Sequence, residues 1–319
     1  MPLKIGFIGA GEMANAVHYP SVKEYPNAEL VAVCDIDSKT RTDTADRFGI
    51  RARYPDYKRM LTNEELDVVY VVTSPFQVKE LISDCLRAGK HVFTEKPLGC
   101  SAEDAREMAD LAIKHNCLTA VGYNRRFAAV FAEAKKRVEA VGPVNTMLAE
   151  FHKNMKENYE GNRISIMRSD IVHIVDALCS VGGQPIGAHS YVDELYGEGW
   201  LNNFNAIMRF RGGMVGVLTA NRKAGNRYER FEMHAKGITA YIRPPDYVEI
   251  WEDGKKESTL IRGEELCGTK DFRITYGYKA ETFHFLECVE RKVDSEISFA
   301  KIVATQELAQ RLEAGSKGA

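Results

Sequence analysis

Two places in the chain combine residue types that could oxidise an alcohol or reduce a ketone. The tetrapeptide Thr94-Glu95-Lys96-Pro97 ends an apolar run, and an ammonium aimed at a reacting oxygen stabilises developing alkoxide charge. His173 can accept the proton of a hydroxyl, because histidine titrates near neutral pH. Asp170 precedes it by three residues, on the same face of a predicted helix, where a carboxylate can orient the ring and stabilise the imidazolium.

A glycine-rich turn near the N-terminus predicts a dinucleotide site. Gly9-Ala10-Gly11-Glu12-Met13-Ala14 follows an apolar run and opens a helix. The first glycine permits a tight turn, the second lets the backbone approach a pyrophosphate, and the helix N-terminus offers N–H groups to its oxygens. A second apolar run ends at Asp35, whose carboxylate can bind ribose hydroxyls and would repel a 2′-phosphate. We therefore expect NAD as the cofactor rather than NADP.

The first half of the sequence alternates short apolar strands with helices of 10–15 residues. Asp37 is placed to cap a helix that runs to Phe48 and stops at Gly49, and Ser101 is placed to cap another. Such alternation indicates βαβ units and a parallel sheet covered on both faces. We expect residues 1–123 to form a doubly wound Rossmann domain that binds the dinucleotide.

After residue 124 the pattern changes to strands with alternating apolar residues between predicted helices. Gly212-Gly213 and Asp253-Gly254 lie between such strands and are hairpin signals. We expect residues 124–319 to form an α+β domain with a large, mostly antiparallel sheet, used for substrate binding and oligomerisation. Two polar clusters, 153–163 and 221–230, are predicted to be solvated loops, the first of which could also close over a polar substrate.

The composition argues against several classes of protein. The 319 residues carry 43 Lys and Arg against 45 Asp and Glu, without a long basic block, so we expect neither a nucleic-acid nor an anionic-membrane partner. No run approaches the roughly 18 apolar residues of a membrane span. The seven cysteines form no CxxC pair and the start has no secretory pattern, which favours a reducing cytoplasm. His152 and His189 show no ligand spacing, and we expect no metal.

Several motifs occur in a familiar order: GxGxxA, the Asp at the end of strand two, Ser74-Pro75, Glu-Lys-Pro, GYNRRF (122–127), a DxxH helix and YKAETFHFLECV (278–289). This set resembles the glucose–fructose oxidoreductase/inositol dehydrogenase/rhizopine catabolism (Gfo/Idh/MocA) family, and within it the virulence-factor-like oxidoreductases. The resemblance covers nearly the whole chain. The Glu-Lys-Pro motif is its most specific part, and the second half is matched more loosely.

The resemblance implies roles for individual residues. Lys96 would contact both the substrate hydroxyl and the nicotinamide ribose, and His173 would lie beside the reacting carbon. Asn124 and Arg125 would border the nicotinamide and the substrate cleft. The remaining cofactor contacts would come from Thr73, Ser74, Pro75 and Glu95.

The sequence also departs from the family pattern. The helix aspartate usual four residues before the histidine is Ser169 here, and Asp170 lies three before it, so either residue could take that role. The usual Asn and His after the strand-four proline are Phe76 and Lys79. These departures leave the substrate open.

The sequence thus predicts an NAD(P)-dependent dehydrogenase or reductase that acts on a secondary hydroxyl or ketone of a sugar, cyclitol or sugar derivative. We expect a homodimer or homotetramer formed through the C-terminal sheet. One alternative is a reductase of a non-carbohydrate substrate such as an imine or bilin. Another is a dinucleotide-binding regulator without turnover, against which the retention of Lys96 and His173 argues.

Overall fold

The computed structural model describes residues 1–158 and 163–315. The chain forms two compact units, one of Met1–Tyr123 with Tyr278–Val303 and one of Asn124–Gly277 with the segment from Ala304. Residues 159–162, in the first predicted loop, and the tail 316–319, predicted to be frayed, lie outside the described residues. Within the described parts, no helix is long and apolar enough to cross a membrane.

The first unit contains a six-stranded parallel sheet of order β3-β2-β1-β4-β5-β6. The strands are β1 (Leu3–Ile8), β2 (Ala28–Cys34), β3 (Ala52–Tyr54), β4 (Val68–Val71), β5 (His91–Glu95) and β6 (Thr119–Gly122). The order reverses between β1 and β4, and open α/β sheets bind their ligands at the carboxyl ends of strands beside such a reversal. The predicted doubly wound fold is confirmed.

Helices α1 to α5 connect these strands: α1 (Tyr19–Lys23), α2 (Ser38–Phe48), α3 (Tyr57–Asn63), α4 (Val78–Arg87) and α5 (Ala102–Lys114). Asp37 caps α2 by accepting the N–H of Thr40 at 2.6 Å, and Gly49 ends it in the left-handed conformation at φ 75°. Ser101 caps α5 in the same way. These predicted helix ends are confirmed. A π-helical turn, Ala14–His18, precedes α1.

The boundary after residue 123 needs a correction, because Tyr278–Val303 belongs to the first unit. Helix α10 (Tyr278–Arg291) contributes Phe285, whose ring lies 5.9 Å from that of Phe93 and which is fully buried. The following segment hydrogen-bonds to β6, where Val121 N–H donates to Ile297 O at 2.9 Å. The chain therefore returns to complete the Rossmann core, and a single boundary cannot divide it.

The second unit contains an eight-stranded sheet of order β14-β13-β12-β11-β7-β10-β9-β8, in which only the β7–β10 pair is parallel. The strands are β7 (Thr146–Asn154), β8 (Pro185–Asp193), β9 (Asn203–Phe210), β10 (Val215–Asn221), β11 (Lys223–Ala235), β12 (Ile238–Arg243), β13 (Tyr247–Glu252) and β14 (Thr259–Arg262). The two predicted hairpins join β9 to β10 and β13 to β14. The mostly antiparallel sheet is confirmed.

Two helices cover one face of this sheet. The ring of Phe131 in α6 (Ala129–Val141) packs edge-on against Phe231 of β11 at 5.1 Å, while α7 (Val172–Gly182) packs on β7 and β10. The other helices are α8 (Gly263–Cys267), α9 (Phe272–Thr275) and α11 (Phe299–Glu313), which spans both units. Elsewhere on the unit's surface Ile207 and Trp251 are exposed. Pairing of the sheet with a second copy stays a prediction.

Candidate active site

The glycine-rich turn of the first unit is fixed by backbone contacts. Gly9 follows β1 with φ 106°, and a Cβ at this position would lie 2.1 Å from Val72 O, so only glycine fits. Gly11 is different, because a Cβ there would meet no protein atom within 4 Å. The open space at Gly11 is where a bound pyrophosphate could approach the backbone.

A cleft of about 470 Å³ lies at the carboxyl ends of β1, β2 and β4. The predicted residues that line it are Gly9, Gly11, Asp35, Thr73 and Ser74. Glu12 and Met13 follow the turn as exposed residues, and Pro75 follows Ser74; these three are not part of the lining. Gln77 and Tyr57 also line the cleft. Sequence analysis missed them, because the direction of a side chain depends on the fold.

Asp35 is held by backbone groups on both of its carboxylate oxygens. Oδ2 accepts the N–H of Ala10 at 2.8 Å, and Oδ1 accepts that of Asp37 at 2.9 Å. The carboxylate therefore ties the end of β2 to the glycine-rich turn, and it is half-buried at the cleft. Arg41, which the sequence analysis missed, donates to Asp35 O at 2.6 Å and brings a positive charge to the same strand end.

Glu95 of the Glu-Lys-Pro motif is hydrogen-bonded to a buried histidine. His18 Nε2 lies 2.8 Å from Glu95 Oε1, and Oε2 accepts the backbone N–H of Lys96 at 3.1 Å. Burial raises the pKa of Glu95, but the hydrogen bond and charge of His18, with the charge of Lys96, outweigh it and lower that pKa. Glu95 is thus held as a carboxylate next to half-buried Lys96.

His18 is fully buried, and the structure gives it a polar contact in addition to its packing. His18, Glu95 and Glu281 each have one side-chain atom that could bind a metal ion, and these three atoms all lie within 4.8 Å of one another. These residues are far apart in sequence, so no ligand-like spacing was visible. Nε2 of the imidazole is hydrogen-bonded to Glu95. The expectation that the protein binds no metal stays a prediction.

In the second unit, His173 lies in the first turn of α7 and is 5% exposed. A π-helical turn, Met167–Ile171, precedes the helix and carries Asp170. Asp170 Oδ1 accepts from Lys153 Nζ at 2.7 Å, and Oδ2 pairs with Arg222 Nη2 at 3.0 Å. The carboxylate predicted to orient the histidine is therefore shared between two cations. Ser169, the alternative, is buried.

Asn124 and Arg125 are more deeply buried than the resemblance implied. Asn124 is fully buried and donates to Tyr276 O at 2.8 Å, while its Oδ1 accepts from Arg125 at 2.9 Å. Arg125 is 4% exposed, and Glu229 holds its guanidinium with two bonds of 3.0 and 3.3 Å. Tyr276 also donates to Glu229. In the second unit these residues form a buried, rigid network, and a positioning role fits them better than contact with substrate.

Two further charged residues pair within their own units. Asp176, three residues after His173, is fully buried and binds Arg126 through two bonds of 2.5 and 2.6 Å. Lys79 binds Asp104 at 2.8 Å and Glu107 at 2.7 Å. Lys79 is therefore engaged on the α4–α5 surface.

The prediction of a solvated loop over 221–230 is wrong. Most of this segment is the start of β11, and Arg222 is fully buried. Arg222 lies over the ring of Phe151 at 4.6 Å, as does Lys153 at 4.8 Å. Arg227 and Arg125 lie over the same ring at 5.5 and 5.7 Å. We call this group, with Asp170 and Glu229, the Phe151 cluster.

Comparisons with known proteins agree with this architecture. The model of the Gfo/Idh/MocA oxidoreductase family, with an NAD-binding Rossmann fold, matches residues 3–123. The chain is also 26% identical over 286 residues to myo-inositol 2-dehydrogenase of Thermotoga maritima, covering 86% of this chain and 82% of that protein. By these matches the chain is similar to the Gfo/Idh/MocA family, and the family model covers its Rossmann domain.

Other relatives and solved structures are similar over more than 90% of the chain. Inositol 2-dehydrogenase of Rhizobium meliloti is 27% identical over 308 residues, which are 91% of this chain and 90% of that protein. A solved levoglucosan dehydrogenase, in complex with NADH and levoglucosan, has a TM-score of 0.85 at 19% identity and covers 98% of both chains. The family model that matches residues 3–123 describes oxidoreductases with an NAD-binding Rossmann fold. The finer likeness to virulence-factor-like members stays a prediction.

Proposed function

We propose that the protein is an NAD(H)-dependent dehydrogenase that acts on a secondary hydroxyl, or the corresponding ketone, of a sugar, cyclitol or sugar derivative. The observation that carries the proposal is the match to inositol dehydrogenases over more than 80% of their length. A cleft with the glycine-rich turn at one side and Asp35 at the other supports it.

The residues of the first unit fit a dinucleotide. Gly9 and Gly11 would hold the pyrophosphate together with the backbone of Glu12 and Met13, and Asp35 would bind the adenosine ribose. Thr73 and Ser74 line the same cleft. Pro75 and Glu95 lie outside this lining and would be further contacts of the bound dinucleotide. When bound, the nicotinamide supplies the hydride acceptor or donor. Asn124 would support its site through the buried network around Tyr276.

The chemical roles follow from the charges of the side chains. His173 would take the hydroxyl proton during oxidation and return it during reduction. Lys96 would stabilise the developing alkoxide through its ammonium, which Glu95 helps to orient. Asp170, one helical turn away, would help to orient the histidine ring, while its charge is balanced by Lys153 and Arg222. Arg125 would position Glu229 and Asn124.

The test is NADH formation from NAD⁺, followed by absorbance, with a panel of inositols, aldoses, glucosides and sugar acids, and the reverse reaction with keto-sugars. We expect turnover with at least one member of the panel. Tight NADH binding without hydride exchange across the panel would overturn the proposal in favour of a dinucleotide-binding regulator. Exchange only with an imine or a bilin would place the protein in a different substrate class.

A further inference from the structure

The Phe151 cluster carries more positive than negative charge. Four cationic side chains lie within 6 Å of one ring centre, and within the described ranges the carboxylates paired with them are those of Asp170 and Glu229. Among the described side chains of the cluster, four cations therefore lie with two carboxylates. Cations that lie this close to one ring repel one another. An ordinary salt bridge pairs one cation with one carboxylate and leaves no such excess.

Arg222 shows that this excess is not relieved inside the protein. Its side chain is fully buried, Nη1 donates to Phe151 O, and Nε and Nη2 make no hydrogen bond with any described group. The ion pair with Asp170 at 3.0 Å gives charge contact without hydrogen-bond alignment. Burial lowers the pKa of Arg222 to about 10 despite the nearby charges of Asp170 and Glu229. A buried cation of this kind lacks full compensation.

Two members of the cluster reach the surface. The side chain of Arg227 is 55% exposed, and that of Lys153 is 24% exposed. Burial lowers the pKa of Lys153, with the charges of Arg222 and Arg227 acting in the same direction. The accessible edge of the cluster is therefore cationic, and the fully buried charge of Arg222 is screened less than an exposed charge would be.

Asp170 of the cluster lies close in sequence to the proposed base. Asp170, which pairs with Lys153 and Arg222, precedes His173 by three residues, and residues three apart are neighbours on a helical face. A group bound at the edge of the cluster and a hydroxyl at His173 could thus belong to one small molecule.

We propose that the substrate of the proposed dehydrogenase carries an anionic substituent, a carboxylate or a phosphate, that binds Arg227 and Lys153 at the edge of the Phe151 cluster. The inference rests on the proposed function for the identity of the reaction. It adds the chemical class: a sugar acid or a phosphorylated sugar or cyclitol rather than a neutral one. Arg227 can offer a planar pair of donors, and Lys153 adds a compact charge.

The experiment measures binding as well as turnover, with matched compounds. Dissociation constants are determined calorimetrically in the presence of NADH for D-glucose, D-glucuronate and D-glucose 6-phosphate, and for the galactose and myo-inositol counterparts. We expect the anionic member of at least one series to bind about tenfold or more tightly than its neutral partner, because charge-assisted hydrogen bonds are the stronger class. Added salt should weaken the anionic member alone. The glucuronate and phosphate arms distinguish the two sources of charge.

Variants on β11 locate the effect. Arg227→Gln should weaken binding of the preferred anion about 10- to 100-fold while changing that of the neutral partner less than about threefold. Arg227→Lys should retain most of the preference. Arg230→Gln is the matched control, since Arg230 follows on the opposite face of the strand and pairs with Glu150 at 2.6 Å. It should bind both compounds as the wild type does.

The outcomes separate the two proposals. Equal or tighter binding of the neutral member in every series, or equal losses for both members in Arg227→Gln, overturns the anionic substituent and leaves the dehydrogenase intact. Arg227-dependent anion binding without hydride exchange across the panel supports the substituent and overturns the dehydrogenase. A panel in which nothing binds and nothing turns over overturns both.

Discussion

The cleft of the first unit and the Phe151 cluster of the second are held by different parts of the chain. At the cleft, backbone groups make the main contacts: Gly9 packs against Val72 O, and Asp35 accepts two backbone N–H groups. In the cluster, side chains hold side chains, as Arg125 binds Glu229 and Asp170 binds Lys153. The first arrangement suits a cofactor that many proteins share, and the second can be altered residue by residue.

This difference gives a physical reason why cofactor binding and substrate specificity can vary separately. A backbone cradle changes only when the turn itself changes, because its donors do not depend on side-chain identity. A network of ion pairs changes with any charged substitution, and its energy depends on how well each charge is compensated. We therefore expect substitutions that line the cleft to act on the cofactor and substitutions in the Phe151 cluster to act on the substrate.

The largest expected effect comes from the two residues assigned to the reaction, one in each unit. Lys96→Met should reduce kcat by about 10²–10³ and leave NADH affinity nearly unchanged, because one preorganised charge is lost. His173→Ala should reduce kcat by about 10²–10⁴ through loss of the general base. Steady-state kinetics and NADH titration measure both.

The double variant sharpens this comparison. If Lys96 and His173 act on one proton-transfer event, the combined loss should be smaller than the product of the single losses. Independent, multiplicative losses would assign them separate roles. A Lys96→Met enzyme with nearly wild-type kcat/KM would show that the catalytic assignment of this lysine is wrong.

A second prediction concerns the stability of the buried network. Burial raises the pKa of Glu229, but the charge and hydrogen bonds of Arg125, with the hydrogen bond of Tyr276, outweigh it and lower that pKa. Glu229→Leu leaves Arg125 buried without its partner and should cost about 3–5 kcal/mol. Urea unfolding followed by tryptophan fluorescence measures it, since Trp200 and Trp251 both lie in the second unit.

The lowered pKa of Glu229 determines how its contribution to the stability of the protein changes with pH. A carboxyl whose pKa is lower in the folded state stabilises the protein above its unfolded pKa, near 4.5, and this contribution is lost as the pH falls through the folded value. The difference between wild type and Glu229→Gln should therefore shrink below pH 4.5. Glu265→Gln, at the exposed pair with Arg262, is the control and should not measurably change the unfolding curve. A pH-independent difference would mean that packing dominates.

The third prediction uses the two glycines of the turn. Gly9→Ala should lower the melting temperature and abolish tight NADH binding, because its φ of 106° and the contact with Val72 O exclude a side chain. Gly11→Ala should melt as the wild type does, since its Cβ meets no protein atom within 4 Å. It should still weaken NADH binding about 5- to 150-fold, the range of overpacking costs. Unchanged NADH affinity in Gly11→Ala would place the pyrophosphate elsewhere.

Local interactions explain which features the sequence predicted. The cap of α2 by Asp37 and the stop at Gly49 depend on residues within a few positions of one another, and both could be predicted. The parallel sheet followed because apolar strands alternated with helices of suitable length.

Long-range pairing explains what the sequence analysis missed. His18 lies 77 residues from Glu95, and the Arg125–Glu229 pair depends on the register of β11 against β7. Arg222 lies among polar residues in the sequence, and this composition predicted exposure to solvent. The residue is buried instead, because strand pairing and the ring of Phe151 cover it. The return of Tyr278–Val303 to the first unit likewise depends on tertiary packing.

The smallest expected effect is on the choice between NAD and NADP, where two opposite charges lie at the end of β2. Asp35→Asn keeps an acceptor for Ala10 N–H but removes the charge that repels a 2′-phosphate, so NADP(H) binding should gain about 1–2 kcal/mol relative to NAD(H). Arg41→Ala should shift the ratio the other way, by less, because its guanidinium is partly occupied by Asp35 O. Dissociation constants for both cofactors, measured by fluorescence with each variant, decide it. Tighter NADP(H) binding by the wild type would mean that Arg41, rather than Asp35, sets the preference at this strand end.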